Sequence, residues 1–474
     1  MRGSSVAAVA FTLVASGCTT ATLNADSSTA VAPTTTSTSS SVLDESSPVA
    51  NVQDELPPQT VATVDALVDR LAARIYDPIN HIDPALIRAV GELDDERLAW
   101  VIADGLRFVG RGEELDALVV AGSELGGVEL EPATAWLELN NHLIAVDRPP
   151  PPDYHRWKRE IYVAVDATWA PFFDDEDAQV DWRLVTFGGV LADRRPFGSD
   201  DTCQCIAALD EPPAEPAGEI EWLVDGDPVI GLVVNGEARA YPLHIMEQHE
   251  LVNDVLGGER ISLAYCTLCG SGQAYRLDAL PTQFKPPDGE AAVLRTSGLL
   301  YRSNKLMFDL ASRSLVETFT GEAWTGPWRE DGVVLEQIPT VTSQWGAWQA
   351  EHPTTTLMTG RNGTGPDYPL DPLGQRDDGG PIFPVGEIDP RLFPQTPVVG
   401  ITTADGGHVA FPVLEARAEL EAAASVELDD VTLSLDGSGL RATDREGRVL
   451  VVHQAYWFAW SQFHPETQLW APTP

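Results

Sequence analysis

Two closely spaced cysteines are the residues of this chain whose type and spacing point most directly to chemistry. Cys266 and Cys269 are separated by two residues and are followed at once by Gly270. A glycine there can adopt a positive φ, which lets the chain curl around the sulfurs. The alternating run 261–265 before the pair predicts a strand, so we expect both thiols in the turn where that strand ends. Such a turn can hold a metal ion or a disulfide.

A short helix upstream of the pair carries the histidines best suited to complete a metal site. The apolar spacing of residues 242–250 predicts this helix, which contains His244 and His249. Two thiolates with one or two imidazoles satisfy tetrahedral zinc, and copper or iron accept the same ligands. We therefore predict a transition-metal site formed by Cys266, Cys269 and His249. The further candidate ligands are His244, Cys203, Cys205 and His352.

A second cysteine pair, Cys203 and Cys205, has only one intervening residue. Two cysteines this close bond each other with strain, so we expect this pair to ligate metal or to bond elsewhere. A four-sulfur site that joins both pairs is geometrically allowed. The remaining polar candidates for the neighbourhood of the site are of types that also favour turns; they are Glu250, Asp254, Ser297 and Asp309.

Two alternatives to metal binding stay open for Cys266 and Cys269. One is thiol–disulfide exchange, although Gly270 and Gly272 make a poor helix after the pair, whereas thioredoxin-like sites place it at a helix N-terminus. The other is a non-catalytic scaffold with a structural disulfide or zinc. Covalent haem is excluded because Gly270 stands where that motif needs histidine. The sequence shows no nucleotide cofactor motif and does not decide whether the protein is an enzyme.

The N-terminus is typical of a targeting segment. Arg2 precedes a short apolar run, residues 6–15, which is too short to span a bilayer as a helix. Small residues then lead to Cys18, so residues 1–18 predict a lipoprotein signal with Cys18 as the lipidated first residue of the mature protein. We expect an extracytoplasmic protein anchored to the membrane by lipid, or alternatively a secreted one. Residues 19–58 begin rich in Ser, Thr and Ala and predict a flexible tether.

The charge and the hydrophobic pattern set the partners and the fold class. The 474 residues carry a net charge of −42, which repels nucleic acid. The hydrophobic pattern predicts an α+β protein in which an N-terminal helical module precedes a β-rich domain. The helical module could also offer a docking surface to a protein partner. The predicted segments are a helical module at 59–147, a proline linker and aromatic-rich lead-in at 148–219, a first β-rich half at 220–360, a connector at 361–395 and a second, cysteine-free half at 396–474.

An internal repeat indicates that the β-rich domain is duplicated. Trp345, Trp348 and His352 stand at the same spacing, before a proline, as Trp457, Trp460 and His464. Features present in both halves are best explained as scaffold, which assigns His352 a structural role despite its type. Cys266 and Cys269 occur only in the first half, which favours a functional role for them.

Eight short motifs of this chain lie at 229–242, 249–254, 265–270, 296–300, 307–309, 326–327, 345–353 and 458–465. Together they resemble a bacterial family, the domain of unknown function 3179, over roughly residues 180–472. The family typically has proline inside the cysteine pair, where this chain has Thr267, and lacks cysteines at Cys203 and Cys205. The resemblance therefore implies domain limits and a site, but no reaction, and favours a local disulfide or accessory ligand at Cys203 and Cys205.

Overall fold

A computed structural model describes residues 55–280, 292–360, 367–369, 373–374 and 378–472. The predicted signal, the lipidation site Cys18 and nearly all of the tether lie outside these residues. Within them, no helix has both the length and the apolar character needed to cross a membrane.

Helices dominate the first part of the described chain, as the sequence predicts. Asp83 caps the second helix by accepting a hydrogen bond from Ala85 N, with Pro84 in its first turn. The fourth helix ends at Gly127, whose positive φ of 67° terminates it. The helices are α1 (Pro58–Tyr76), α2 (Pro84–Gly91), α3 (Ala99–Leu106), α4 (Glu113–Gly126), α5 (Ala135–Ala145), α6 (Tyr154–Val165) and α7 (Ala170–Phe173).

The aromatic-rich lead-in at 148–219 shares one hydrophobic core with the helices before it. Trp157 on α6 and Trp169 are buried in the same cluster as Trp100 and as Phe308 from the β-rich region. The indole nitrogen of Trp169 donates to the carbonyl oxygen of Ser297 at 2.7 Å. The helical part is thus packed directly against the first sheet.

The β-rich region consists of short strands and five more helices. Its first part contains β1 (Val185–Phe187), β2 (Leu209–Asp210), β3 (Ala214–Pro216), β4 (Pro228–Val234), β5 (Glu237–Pro242), α8 (Leu243–His249), β6 (Leu251–Leu256), β7 (Glu259–Cys266), β8 (Ser271–Arg276), β9 (Leu294–Tyr301), β10 (Asn304–Asp309), β11 (Leu315–Glu317), α9 (Gly326–Glu330), β12 (Glu336–Ile338), β13 (Thr340–Gln344), α10 (Trp345–Glu351) and β14 (Thr356–Met358). Its second part contains β15 (Pro397–Thr402), β16 (His408–Pro412), α11 (Val413–Glu421), β17 (Glu427–Leu428), β18 (Val431–Asp436), β19 (Gly439–Thr443), β20 (Val449–Leu450), β21 (His453–Tyr456), α12 (Trp457–Phe463) and β22 (Gln468–Leu469).

Among the described residues these strands form five small sheets in a propeller-like arrangement. The strand orders are β1-β9-β10-β11, β12-β8-β7-β6-β2, β13-β4-β5-β14-β3, β21-β15-β16-β22 and β17-β18-β19-β20. The mixed helical and strand content agrees with the predicted α+β class.

The two parts of the β-rich region repeat one architecture. β13-β4-β5-β14 and β21-β15-β16-β22 share both order and direction, including a parallel last pair. Trp348 lies so close to Gly231 that a Cβ there would sit 2.3 Å from the indole, and Trp460 has the same relation to Gly400. Each indole nitrogen donates to a threonine seven residues later at 3.0 Å. This correspondence is compatible with the predicted duplication.

The two parts also contact each other reciprocally through hairpin turns. The turn after β18 places Ser438 Oγ against the backbone nitrogen of Gln344, 2.7 Å away, at the start of α10. The turn after β7, which carries the cysteines, places Gly270 against Tyr456 at the start of α12. Each turn therefore meets the residue that precedes the helix of the other part.

Candidate functional site

Cys266 and Cys269 lie in the predicted turn at the end of a strand. Cys266 is the last residue of β7 and pairs with Ser271, the first residue of β8. Residues Thr267–Cys269 form one turn of 3-10 helix between them, and Gly270 closes it with a φ of 58°. This tight connection holds both side chains on the same side of the hairpin end.

Both thiols are reduced and completely enclosed. Cys266 is 1% exposed and Cys269 is 0% exposed, and neither forms a disulfide. The two sulfurs approach the same acceptor, the carbonyl oxygen of Ser303, at 3.8 and 3.5 Å. The thiols also hydrogen-bond to each other, and burial together with the neighbouring Cys266 raises the pKa of Cys269 well above its usual value.

The carbonyl that faces the sulfurs belongs to an unusual turn. Arg302 and Ser303 connect β9 to β10 with φ values of 47° and 71°. Residues other than glycine, asparagine and aspartate rarely adopt this left-handed conformation, and where it persists the surrounding structure must maintain it. Ser303 is fully buried, so its unusual backbone lies inside the site and not on the surface.

A buried lysine and a partly buried glutamate lie near the cysteines. Lys305 donates from Nζ to the backbone oxygen of Glu250 and lies 3.9 Å from the Glu250 carboxylate. Burial lowers the pKa of Lys305, while Glu250 and Cys266 act to raise it. Burial raises the pKa of Glu250, and Lys305 opposes that shift. Lys305 therefore lies where its side chain interacts electrostatically with both Glu250 and Cys266.

Several buried polar atoms around the turn have no hydrogen-bond partner among the described residues. Ser303 Oγ and Asn304 Oδ1 belong to the β9–β10 turn, and Ser271 Oγ follows the cysteine turn directly. Gln273, two residues after Ser271 on β8, also has both side-chain polar atoms, Oε1 and Nε2, without a hydrogen-bond partner among the described residues. Buried polar groups are nearly always paired, so such a concentration indicates water or a ligand. We call Cys266, Cys269, Ser271, Ser303, Asn304 and Lys305 the buried polar cluster.

The structure gives His249 other partners than the two sulfurs. Its Nδ1 lies 2.6 Å from the carbonyl oxygen of Ala207 and its Nε2 lies 2.7 Å from the hydroxyl of Tyr368. In the described part of the chain, no side-chain ligand atom of His, Cys, Asp or Glu completes a set with both Cys266 and Cys269 in which all atoms lie within 4.8 Å. His249 instead holds the segment that precedes β2.

The two other histidine candidates pack against aromatic residues. His352 stacks on Trp348 with ring centroids 3.9 Å apart, and its Nε2 lies 2.8 Å from Asp436 Oδ1. This geometry agrees with the scaffold role that the repeat assigns to it. His244 lies edge-on to Trp222 at 5.9 Å.

The remaining polar candidates stabilise turns and strands. Asp254 accepts from Arg239 Nη1 at 2.7 Å and from the Tyr241 hydroxyl at 2.8 Å. Ser297 Oγ donates to a backbone carbonyl at 2.6 Å. Asp309 accepts from the backbone nitrogen of Ser312 at 2.6 Å, and burial raises its pKa.

The expectation that Cys203 and Cys205 ligate metal or bond elsewhere is corrected: they bond each other. Their Cα atoms lie 5.1 Å apart, a normal separation for a disulfide. Asp193 lies within 4.8 Å of both sulfurs, a set that offers thiolates to a metal only after reduction. Both Asp193 oxygens already accept from Arg195, at 2.8 Å each. The oxidised pair therefore supplies no thiolate to a four-sulfur site.

Sequence reasoning missed Lys305 and Ser303. One available signal is the scarcity of lysine, since the chain has three: Lys158, Lys285 and Lys305. The two that the structure describes, Lys158 and Lys305, are 2% and 3% exposed. Lysine is almost never fully buried without a partner. In a chain with so few lysines, a lysine two residues after Ser303 is therefore a signal for a buried, paired side chain.

Comparison with known proteins gives one match. The family model described as "Protein of unknown function (DUF3179)" matches residues 203–467. This range contains both cysteine pairs, the buried polar cluster and most of the β-rich region. No curated protein and no solved structure matches the chain.

Proposed function

Since this chain belongs to the DUF3179 family of proteins of unknown function, we propose its function from the geometry of its own residues. The protein binds a thiophilic metal ion through Cys266 and Cys269. The observation that carries this proposal is the convergence of both buried, reduced sulfurs on one point, the Ser303 carbonyl, at 3.8 and 3.5 Å. The hydrogen bonds to that carbonyl describe the protonated pair, and an ion that displaces both protons would lie between the sulfurs.

The donor set favours a soft ion of low coordination number. Zinc in proteins takes four ligands in a structural site, whereas the described residues near Cys266 and Cys269 offer two thiols and no third side chain of the usual ligand types. Cu(I) is soft, prefers thiolates and is stable with two of them. We therefore propose Cu(I) as the ion among the predicted zinc, copper and iron.

Lys305 supplies the charge that this site needs. Two thiolates and one monovalent cation leave a net negative charge in a buried place, which is costly unless it is paired. The ammonium group of Lys305 interacts electrostatically with Cys266 and is itself 3% exposed. A protonated Lys305 would neutralise the loaded site, with the unpaired polar atoms of the buried polar cluster available for ordered water.

Metal analysis tests the proposal. Chain purified without oxygen is titrated with Cu(I) against a coloured Cu(I) chelator, and we expect one ion per chain. The Cys266→Ser/Cys269→Ser variant should take none from the chelator. The Cys203→Ser/Cys205→Ser variant is the matched control and should still take one. Equal copper in the native chain and in Cys266→Ser/Cys269→Ser would refute the site, and a clear preference for Zn²⁺ would refute the choice of ion.

Thiol–disulfide exchange at Cys266 and Cys269 is the second candidate. The approach of both sulfurs to the Ser303 carbonyl favours it, because two thiols that face one point need little movement to bond. Their enclosure opposes it, since exchange requires an attacking sulfur to reach them. Alkylation of the folded chain separates the two functions: rapid modification of Cys269 would support exchange, and protection that is lost only on unfolding would support a closed metal site.

Location and partners extend the proposal. We propose that Cys18 carries lipid and holds the protein outside the cytoplasm, and that the helical module can dock a protein partner through exposed apolar residues such as Tyr76 and Ile79. Mass spectrometry of the mature N-terminus tests the first part, because lipid should be present in the native chain and missing from Cys18→Ala. Cross-linking through a cysteine introduced at Ile79 tests the docking proposal. A partner should cross-link at this position and not at the exposed control site, Glu113→Cys.

A further inference from the structure

The disulfide between Cys203 and Cys205 has a chemistry of its own. We propose that it is an oxidising centre that accepts electrons from cationic peptides or unfolded segments containing two cysteines. It does not depend on Cys266 and Cys269, and it belongs to this chain's own residues at the N-terminal edge of the family match.

This disulfide is expected to contribute little to the stability of the fold. A disulfide stabilises a fold mainly by restricting the unfolded chain, and the gain grows with the length of the closed loop. The sequence separation here is 2, so the loop is close to the smallest that a disulfide can close. The bond therefore restricts very little of the unfolded chain.

The segment around the bond is held in place by other contacts. The backbone nitrogen of Leu191 donates to the carbonyl oxygen of Gln204 at 2.8 Å, between the two cysteines. Thr296 Oγ1 donates to the carbonyl oxygen of Ile206 at 2.7 Å. His249 contacts the carbonyl oxygen of the next residue, Ala207. None of these anchors involves a cysteine sulfur, so we expect the fold to tolerate both redox states.

The bond is open to attack from solvent. Cys203 is exposed and Cys205 is partly exposed, in contrast to the enclosed Cys266 and Cys269. Exposed disulfides are the labile and catalytic ones, because an incoming thiolate must approach a sulfur along the bond. The exposed partner, Cys203, is the sulfur that we expect to be attacked first.

The charge around the bond selects the substrate. The exposed residues Asp200 and Asp201 lie just before Cys203 and outnumber the exposed cation of the same segment, Arg194. Asp193 beside the sulfurs is already paired with Arg195, and the chain as a whole carries a charge of −42. Anionic thiols are repelled from such a surface and cationic peptides are attracted to it, with an effect that salt weakens. Peptides with lysine beside their cysteines should therefore react faster than peptides with glutamate there.

The exchange balances without any other reagent. A substrate thiolate attacks Cys203 Sγ, the bond between Cys203 and Cys205 breaks, and the electron pair leaves on Cys205 Sγ, which takes up a proton. The second substrate thiolate then attacks the substrate sulfur of the mixed disulfide and releases Cys203 as a thiol. The substrate loses two electrons and two protons to form its disulfide, and Cys203 and Cys205 gain them.

The test follows the oxidation of a reduced dithiol peptide by stoichiometric amounts of the full chain, with thiols mapped by mass spectrometry. We expect the native chain to oxidise a lysine-flanked peptide about tenfold or more faster than Cys203→Ser/Cys205→Ser does. The Cys266→Ser/Cys269→Ser variant should react like the native chain, which separates this inference from metal binding. A glutamate-flanked peptide should react more slowly at low salt and similarly to the lysine-flanked one at high salt.

Two results would overturn the inference. One is equal oxidation rates for the native chain and Cys203→Ser/Cys205→Ser. The other is a large loss of melting temperature in that variant together with a Cys203–Cys205 bond that survives excess reduced glutathione, since both are marks of a structural disulfide. Thermal unfolding of the variant, expected to match the native chain closely, also shows that it folds.

Discussion

Gly270, which closes the cysteine turn, lies against the ring of Tyr456 in the other half of the β-rich region. A Cβ at Gly270 would sit 3.0 Å from two ring carbons, and the φ of 58° is itself unfavourable for other residues. Tyr456 is the last residue of β21 and directly precedes α12. The enclosure of Cys266 and Cys269 is therefore maintained by both halves together, through one residue that has no side chain.

This contact predicts that Gly270→Ala destabilises the protein and opens the thiol site. We expect a loss of about 1–3 kcal/mol in the free energy of unfolding, from backbone strain and the displaced ring together. Urea unfolding measures the loss, and faster alkylation of Cys269 in the folded state reports the opening. Gly236→Ala is the matched control, because Gly236 also has a positive φ, 84°, but no described atom within 4 Å of the added Cβ. Equal losses in the two variants would contradict the role of Tyr456.

The paired glycines under the tryptophans give a prediction on the repeat. A Cβ at Gly231 or Gly400 would sit 2.3 Å from Trp348 or Trp460, too close to be tolerated without movement of the indole. We expect Gly231→Ala and Gly400→Ala to cost about 1–3 kcal/mol each by overpacking. Denaturant unfolding of both variants measures this, with Gly218→Ala, where the described structure leaves open space, as the control.

Similar losses at Gly231 and Gly400 would support equivalent structural roles in the two halves. A neutral Gly400→Ala beside a damaging Gly231→Ala would show that the second half packs its tryptophan differently. The comparison matters for the site, because it was equivalence between the halves that assigned His352 to the scaffold.

Local sequence patterns were sufficient to predict the secondary-structure elements whose conformation depends on residues close to them along the chain. The alternation before Cys266 predicted β7, Gly270 predicted the turn, and the apolar spacing of residues 242–250 predicted the helix α8. Each of these signals operates within about ten residues, the range over which hydrophobic periodicity and turn chemistry act.

The parts that escaped prediction depend on contacts between distant segments. Ser303 meets Cys269 only because the β9–β10 hairpin packs beside the cysteine turn, and nothing in its local sequence indicates that. His249 was assigned to the metal because it is a histidine near the cysteines in sequence, whereas the fold turns its two nitrogens towards Ala207 and Tyr368. A residue's type indicates what it can bind, but only the fold decides what is within reach.

The buried His453 and the partly buried His464 predict acid sensitivity. Burial lowers the pKa of His453 to about 4 and, for His464, burial with the neighbouring His408 and His453 lowers it to about 3. In the unfolded chain histidine titrates near 6.5, so below that pH the unfolded state binds more protons and stability falls as the pH falls, until the folded pKa is reached.

For the enclosed His453, the loss between pH 7 and pH 5 should amount to at most about 2 kcal/mol. Unfolding free energies measured at both pH values for the native chain and for His453→Phe test this, because phenylalanine keeps the stacking on Phe319 and does not titrate. We expect the variant to lose less stability on acidification. An identical pH dependence in the native chain and His453→Phe would contradict the prediction.

Lys305 gives the sharpest prediction on the proposed metal site. Removing its charge in Lys305→Leu leaves two thiolates and Cu(I) with an uncompensated negative charge and adds no sulfur ligand, so we expect Cu(I) affinity to fall about 10–100-fold, the usual cost of losing a supporting residue around a metal. Because the thiols must ionise to bind the ion, the loss should be larger at pH 6 than at pH 8. His249→Gln is the control, since His249 contacts Ala207 and Tyr368, and it should leave Cu(I) affinity nearly unchanged. Competition titrations with a Cu(I) chelator at both pH values measure these effects. A Lys305→Leu variant with native affinity would contradict the proposed charge balance, and a His249→Gln variant that loses the ion would contradict the proposed ligand set.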